Sequence, residues 1–334
     1  MKKQIISILI CPECKSGLSI AGSDIVINDD IVQGNLKCSN CNKIYKIMDS
    51  VPRFVVDLKE QKKTKESFSF EWLHYTDKLG DEKKVFLEET QIQESDWKGK
   101  FVLDAGCGMG RFTRIALELG AEVVAVDLSD AVERTKELLK RYPKLHLIQC
   151  DLLKLPLKKE IFDIVYSQGV VHHTANTKKA FENISELVRT KGILTVWVYG
   201  KAGRYRDFKT NPLRQDRQYF KKIMPVVWLV VLFRGIISDS LRTVTTKMPI
   251  PLLYSLCYII AWIGILPLIK YLTFSVHSNW RVRLQENFDW LSPEYQTHHT
   301  KEEVIGWFRS RDFNNLKLLP HGFIPKVGAL GIKK

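Results

Sequence analysis

Between residues 100 and 199, short apolar runs alternate with segments whose apolar positions recur every three or four residues. Runs bounded by turn residues read as buried strands, and the three-to-four spacing reads as amphipathic helix. The pattern predicts strand 101–105, helix 109–119, strand 122–127, helix 130–141, strand 145–150, strand 162–167, helix 178–189 and strand 193–199. Such alternation specifies an α/β fold with a parallel sheet covered by helices on both faces. Ligands of these sheets sit beyond the carboxyl ends of the strands, so residues at those ends carry the functional argument.

The pattern changes on either side of this core. In residues 1–56, the run Ile5 to Ile10 reads as the first strand of a small β domain, because CPEC follows it instead of a small-residue cleavage site. Residues 57–99 are a charged linker and helices, dense in aromatics from Ser67 to Tyr75. Residues 200–285 form an insertion. It starts with KAGRYRDFKTNPLRQDRQYFKK, eight basic residues against two acids, and continues through IMPVVWLVVLF to the uncharged run Pro249 to Ile269. That run reaches membrane-spanning length, yet three prolines and Gly264 interrupt it. Helices at a membrane interface or over a substrate site come first, buried core second and a membrane span last. In residues 286–334, Thr300 and Glu303 form a capping-box pair that opens an amphipathic helix. NNLKLLPHG and KVGALGIKK follow as an antiparallel hairpin at the sheet edge. Asp289, Tyr295, His298 and His299 cluster before that helix, either within reach of a substrate or as a structural loop.

Charge sharpens the division. The net charge is +14, and residues from 200 onward hold 21 Lys and Arg against 9 Asp and Glu. The core is nearly neutral, so an anionic partner, a membrane surface or nucleic acid, belongs to the C-terminal third.

Candidate chemistry starts at FVLDAGCGMGRFT, Phe101 to Thr113, where Gly106, Gly108 and Gly110 follow Asp104 at the end of the first core strand. A strand that ends in a glycine turn and opens a helix exposes backbone N–H groups to a nucleotide-type ligand. A dinucleotide fingerprint needs its third glycine at position 111, which is Arg111. Asp127 and Asp151 end the next two strands. Asp127 is near the offset at which an acid meets ribose hydroxyls, and its two oxygens can accept from both. For any one of these acids, a helix N-cap is an equal reading.

DAGCGMG resembles motif I of the class I S-adenosylmethionine (SAM) methyltransferases. FDIVYSQGVVHHT is similar to that family's fourth strand and its apolar-His-His turn, and KKAFENISELVRTKGILTVWVYG to its next helix and fifth strand. The resemblance covers residues 100–200 and implies a Rossmann-like seven-stranded sheet. It also implies that Asp104 with Gly106, Gly108 and Gly110 lines the methionine end of SAM, Asp127 with Leu128 the ribose, Asp151 with Leu152 the adenine, and Gln168 the sulfonium end. The segment ahead of motif I covers the cofactor in many such enzymes, which makes Phe70, Trp72 and Tyr75 lid candidates. His172 and His173 are the candidate bases, with a structural histidine as the other reading of each.

Cys11-x-x-Cys14 and Cys38-x-x-Cys41 have the spacing of a closed, four-thiolate structural zinc site; chance cysteines or a redox pair are the alternatives. CPEC…CSNCNKIYKIMDSVPRF is similar to the zinc-ribbon family that activates tRNA, rRNA and release-factor methyltransferases, some of whose members are metal-free. Here it is fused in cis. Paired cysteines without an export signal point to the cytoplasm, and the basic and apolar insertion to a peripheral place on the inner membrane face. The expected function is SAM-dependent O- or C-methylation of a lipophilic or lipid-linked acceptor. The alternatives are an RNA-modifying methyltransferase, which the ribbon and basic third suggest, and a non-catalytic adaptor.

Overall fold

A computed structural model of the chain describes residues 1–22, 24–27, 30–55, 61–74, 81–200, 236–266, 269, 273–275, 277, 279–320 and 326–334. Two sheets organise it. The smaller comprises β1 (Leu18–Ile20), β2 (Ile25–Ile27), β3 (Asp30–Cys38), β4 (Ile44–Met48) and β5 (Val51–Pro52), all antiparallel. The larger holds β6 (Phe101–Ala105), β7 (Glu122–Asp127), β8 (Leu145–Gln149), β9 (Phe162–Gln168), β10 (Val188–Tyr199), β11 (Phe313–Leu318) and β12 (Lys326–Lys333). Their order is β11-β12-β10-β9-β6-β7-β8, parallel from β8 to β10 with β12 antiparallel.

The continuous apolar runs explain the central position of β6 and β7. Val102, Leu103 and Val123 to Val126 are wholly buried, since helices cover both faces. The strand order reverses at β6, between β7 and β9, so their carboxyl ends open a crevice there.

Two predicted elements differ. Ile5 to Ile10 is not a strand: Lys3–Ile8 is a 3-10 helix, and only Leu9 and Ile10 make isolated bridges. The residues of this segment that are buried are Ile5, in the 3-10 helix, and Leu9, the extended residue that ends it. The helix predicted to reach 189 ends at Ser185, and β10 starts at Val188, paired with Phe162. Its lysine-glycine turn is a bulge between Val188 and Ile193, with Lys191 at φ 63°. The C-terminal hairpin forms at the sheet edge as expected, with β11 outermost and β12 paired to β10.

The small domain continues the large sheet. Arg53 bridges Gln149 of β8 in parallel, and Phe54 N–H donates to the Gln149 carbonyl at 2.8 Å. Leu9 pairs with Leu157. Leu9, Ile31, Leu36 and Phe54 share one apolar cluster with Val124, Ile148 and Leu157. The edge of β8 is therefore covered.

The insertion has a core of its own. Leu253, Cys257 and Ala261 of helix Ile250–Ile263, at a four-residue spacing, pack on Leu284, Phe288 and Leu291 of helix Trp280–Leu291. The apolar run breaks at Gly264, which caps the first helix. Among the described residues no helix is long and apolar enough to cross a membrane. The basic stretch 201–222, the run IMPVVWLVVLF and Tyr75 lie outside the described residues.

Candidate functional site

A cavity of about 590 Å³ opens at the carboxyl ends of β6 to β10. That volume lies within the range of roughly 300–1,000 Å³ usual for small-molecule sites. Asp104, Gly106, Gly108, Asp127, Leu128, Asp151, Leu152, Gln168 and His173 line it. Gly110 and His172, also singled out in the sequence, do not.

The glycine turn follows from space. Gly106 has φ +96°, and a Cβ there would stand 2.3 Å from Val170 Cγ1. At Gly108, φ is +51° and a Cβ would stand 3.2 Å from the Trp72 indole. Both positions need a residue without a side chain. Gly110 serves packing, since its Cβ would meet Thr135 at 2.6 Å.

The three strand-end acids are tied into this turn. Asp127 Oδ2 accepts from Gly108 N–H at 2.8 Å, and Oδ1 accepts from Ser129 N–H at 2.8 Å and Ser129 Oγ at 2.6 Å. Asp151 accepts from Leu153 N–H at 2.8 Å, capping the short turn Leu152–Lys154, and from Gln61 Nε2 at 2.5 Å. Asp104 Oδ2 accepts from Thr113 Oγ1 at 2.6 Å and the Tyr166 hydroxyl at 2.8 Å. Burial pushes its carboxyl up to about 7 despite both bonds, and it raises Asp127 as well. Buried carboxylates of this kind are suited to a cationic ligand. SAM offers a sulfonium, an ammonium and two ribose hydroxyls. The Oε1 of Gln168 is buried and has no partner among the described residues, so a hydrogen-bond acceptor is free at the end of β9. These residues fit SAM.

Helix Lys62–His74 forms a roof. Gln61, Thr64, Phe68, Glu71 and Trp72 line the cavity at helical spacing. Lys65 pairs with Asp130 at 2.9 Å, and Ser69 Oγ accepts from Asp130 N–H at 2.9 Å. Of the lid candidates, Trp72 faces the cavity. Phe70 faces away, stacked on His74 at 4.1 Å and packed against Tyr254 and Phe288. Phe68 and Glu71 were missed because this face mixes polar and apolar residues and leaves no hydrophobic stripe. The 3-4 spacing from Gln61 was the available signal.

Beyond the glycine turn the walls become aromatic and acidic: Trp197 and Tyr199 of β10, Phe274, and Gln285, Glu286 and Asp289 of helix Trp280–Leu291. Glu89 pairs with Lys326 at 2.6 Å and accepts from Trp197 Nε1 at 3.0 Å. The two histidines differ. His173 Nδ1 is 3.0 Å from the Tyr295 carbonyl, which can only accept, so Nδ1 carries the hydrogen and Nε2 is the basic nitrogen. Burial lowers its imidazolium to about 3. His172 is wholly buried, with its ring 4.0 Å from that of Tyr199 and neither nitrogen partnered among the described residues. Of the cluster before the last helix, Asp289 lines the cavity while Tyr295, His298 and His299 do not. The Thr300–Glu303 capping box is formed.

The four ribbon cysteines come together. Their sulfurs all lie within 4.8 Å of one another, with Cys11–Cys41 at 3.6 Å and Cys14–Cys38 at 3.4 Å. Zinc–sulfur bonds of about 2.3 Å at the tetrahedral angle require sulfurs about 3.8 Å apart, so the cluster fits zinc.

Residues 103–196 match the family model of a methyltransferase domain, and residues 2–50 that of a Trm112p-like protein. A malonyl-[acyl-carrier protein] O-methyltransferase of Salmonella typhimurium is 33% identical over 93 residues, 28% of this chain and 36% of that protein. A tRNA (carboxymethyluridine(34)-5-O)-methyltransferase of Xenopus tropicalis is 25% identical over 161 residues, 46% of this chain and 22% of that protein. The chain spans about a third or less of the length of these relatives. Among solved structures, the complex between the Haloferax volcanii Trm112 methyltransferase activator and a methyltransferase is similar at 12% identity, with a TM-score of 0.42, over 75% of this chain and 87% of that one.

Proposed function

We propose that this chain, which joins a methyltransferase domain to a Trm112p-like domain, transfers the methyl group of SAM to a small lipophilic acceptor. The observation that carries the reading is one cavity that runs from the glycine turn and three strand-end acids to an aromatic chamber under a helical roof. SAM supplies an activated methyl group. The chain's part is to hold the acceptor in line behind it and exclude water, and positioning supplies most of the acceleration. Asp104 and the turn 106–110 hold the methionyl end, Asp127 and Leu128 the ribose, Asp151 and Leu152 the adenine, and Gln168 reaches the sulfonium. His173, through Nε2, accepts a hydrogen bond from a hydroxyl acceptor and so orients it. Its imidazolium at about 3 makes it too weak a base to hold the proton, which leaves to solvent. His172 keeps His173 and Tyr199 in place. Cys11, Cys14, Cys38 and Cys41 hold one structural zinc.

The acceptor reaches the chain from a membrane. Helix Ile250–Ile263 carries no charge, and among the described residues only one stripe of it is covered. Leu252, Ile259, Trp262 and Ile263 are about half exposed, in the same insertion as the basic stretch 201–222, which residues 223–249 separate from them. Apolar insertion beside clustered positive charge suits an anionic bilayer surface. The second reading, tRNA methylation, is favoured by the Trm112p-like match and by the tRNA methyltransferase relative. Incubation with methyl-labelled SAM and either a total lipid extract or bulk tRNA tests both. Label in the organic phase is expected; label in tRNA alone would overturn the lipophilic acceptor, and label in neither would overturn both.

A further inference from the structure

The acidic chamber holds two carboxyl groups that cofactor binding does not account for. Glu71, only 4% exposed, lines the cavity from the roof helix. Its Oε1 accepts from Gln285 Nε2 at 3.1 Å, while Oε2 is buried and has no partner among the described residues. Burial raises this carboxyl well above the usual range, and the Asp289 charge adds to the rise. Asp289 is pushed up to about 6, chiefly by burial, with the Tyr199 hydroxyl donating only at 3.3 Å. Glu286 completes the acidic wall.

Among the described residues no ion pair neutralises these acids. Arg242 is the cation that acts on Asp289, but its guanidinium nitrogens donate to the carbonyls of Trp290 at 2.6 Å and Pro293 at 2.8 Å. Two neighbouring buried carboxyls, one with an unpaired oxygen, cost stability that a bound cation would recover. Phe68, Phe274 and Tyr199 beside them supply apolar and π faces, which suit an ammonium on a hydrophobic body. A phosphate or carboxylate in the same place would be repelled.

We infer that the methyl acceptor carries a protonated amine, bound between Glu71 and Asp289 with its hydrophobic body against the aromatic wall. This rests on the methyltransferase reading, and the amine is the anchor while the methylated atom lies elsewhere on the molecule. The ammonium of SAM itself is the other source of the same charge, so the test separates the two.

The full chain, saturated with S-adenosylhomocysteine, is titrated calorimetrically with 2-phenylethylamine, 2-phenylethanol and 3-phenylpropanoate, which differ in their polar head. The amine is expected to bind at least about tenfold more tightly than the other two, as a charge-assisted contact would give. Glu71→Gln is expected to remove most of that preference, and Asp289→Asn part of it, with S-adenosylhomocysteine affinity unchanged within about twofold. Equal binding of the three probes, binding of none, or a preference that survives in Glu71→Gln would overturn the inference. So would a loss of S-adenosylhomocysteine affinity in Glu71→Gln, which would give the carboxylates to the cofactor. Should one variant fail to fold, the ranking on the unmodified chain still decides. Absence of S-adenosylhomocysteine binding would sink the methyltransferase reading instead, and the amine ranking is then read without it.

Discussion

Replacing Arg53 by methionine probes how the small domain is tied to the cofactor site. Arg53 leaves the ribbon, yet its Nη1 donates to Gln149 Oε1 at 2.9 Å and its Nη2 pairs with Glu133. Gln149 Nε2 in turn donates to the carbonyls of Leu128 at 3.3 Å and Ser129 at 3.1 Å, and to Asp130 Oδ1 at 2.8 Å. Those three residues form the loop behind Asp127. Methionine keeps the apolar stem and removes both polar contacts. Gln149, 4% exposed, is then left with an unmet carbonyl oxygen inside the protein, at a cost of about 1–3 kcal/mol. Turning the amide to relieve that cost would break its bonds to the loop, and cofactor binding would have to restore them. At about 1.4 kcal/mol per factor of ten, we expect a roughly tenfold loss of S-adenosylhomocysteine affinity, with a ceiling near 150-fold. Calorimetric titration reads the affinity and thermal unfolding reads the stability. Lys136→Met, which removes an exposed ion pair with Asp49 of 3.8 Å at the same seam, is the control and should change neither. Were Arg53→Met to unfold at lower temperature yet bind the ligand like the unmodified chain, the relay through Gln149 would be refuted.

Three further outcomes are expected. Asp127→Asn sets an amide donor against the N–H of either Gly108 or Ser129, since these face different oxygens, so S-adenosylhomocysteine should bind about ten- to hundredfold more weakly, read by the same titration; unchanged affinity would take the ribose away from Asp127. Cys38→Ser should lower the zinc content of the purified chain from one per molecule towards none and abolish cooperative unfolding of the ribbon, because metal affinity supplies much of the folding free energy of such domains. A metal assay showing no zinc in the unmodified chain would refute the site. The third concerns pH. Asp104 is raised from 3.8 to about 7, so between about pH 4 and 7 the folded chain keeps a proton that the unfolded chain has lost, and stability falls as pH rises through that window. Asp104→Asn should flatten this part of the stability profile in denaturant titrations, and an unchanged slope would show that Asp104 is ionised in the fold.

The seven-stranded order follows from local information in its central part. The apolar runs at 101–105 and 122–127 are too continuous for a half-exposed strand, and each ends in an acid or a glycine turn that only a strand-to-helix transition accommodates. The four cysteines were equally legible, since two tight turns at metal spacing need only one contact between them. Long-range neighbours decided the rest. Ile5 to Ile10 has the composition of a strand, but the buried face of the shared core takes Ile5 and Leu9 and leaves the segment as a 3-10 helix. Phe70 and Trp72 look alike in sequence; the packing of helix Ile250–Ile263 on one side and the glycine turn on the other sends them in opposite directions. His172 and His173 are adjacent, and long-range packing distinguishes them: His173 lines the cavity and meets the Tyr295 carbonyl, more than a hundred residues away, while His172 does neither. Glu71 and Asp289 are separated by most of the chain. Periodicity reports which face of an element is buried, but which distant charge shares that burial is fixed only when the elements dock.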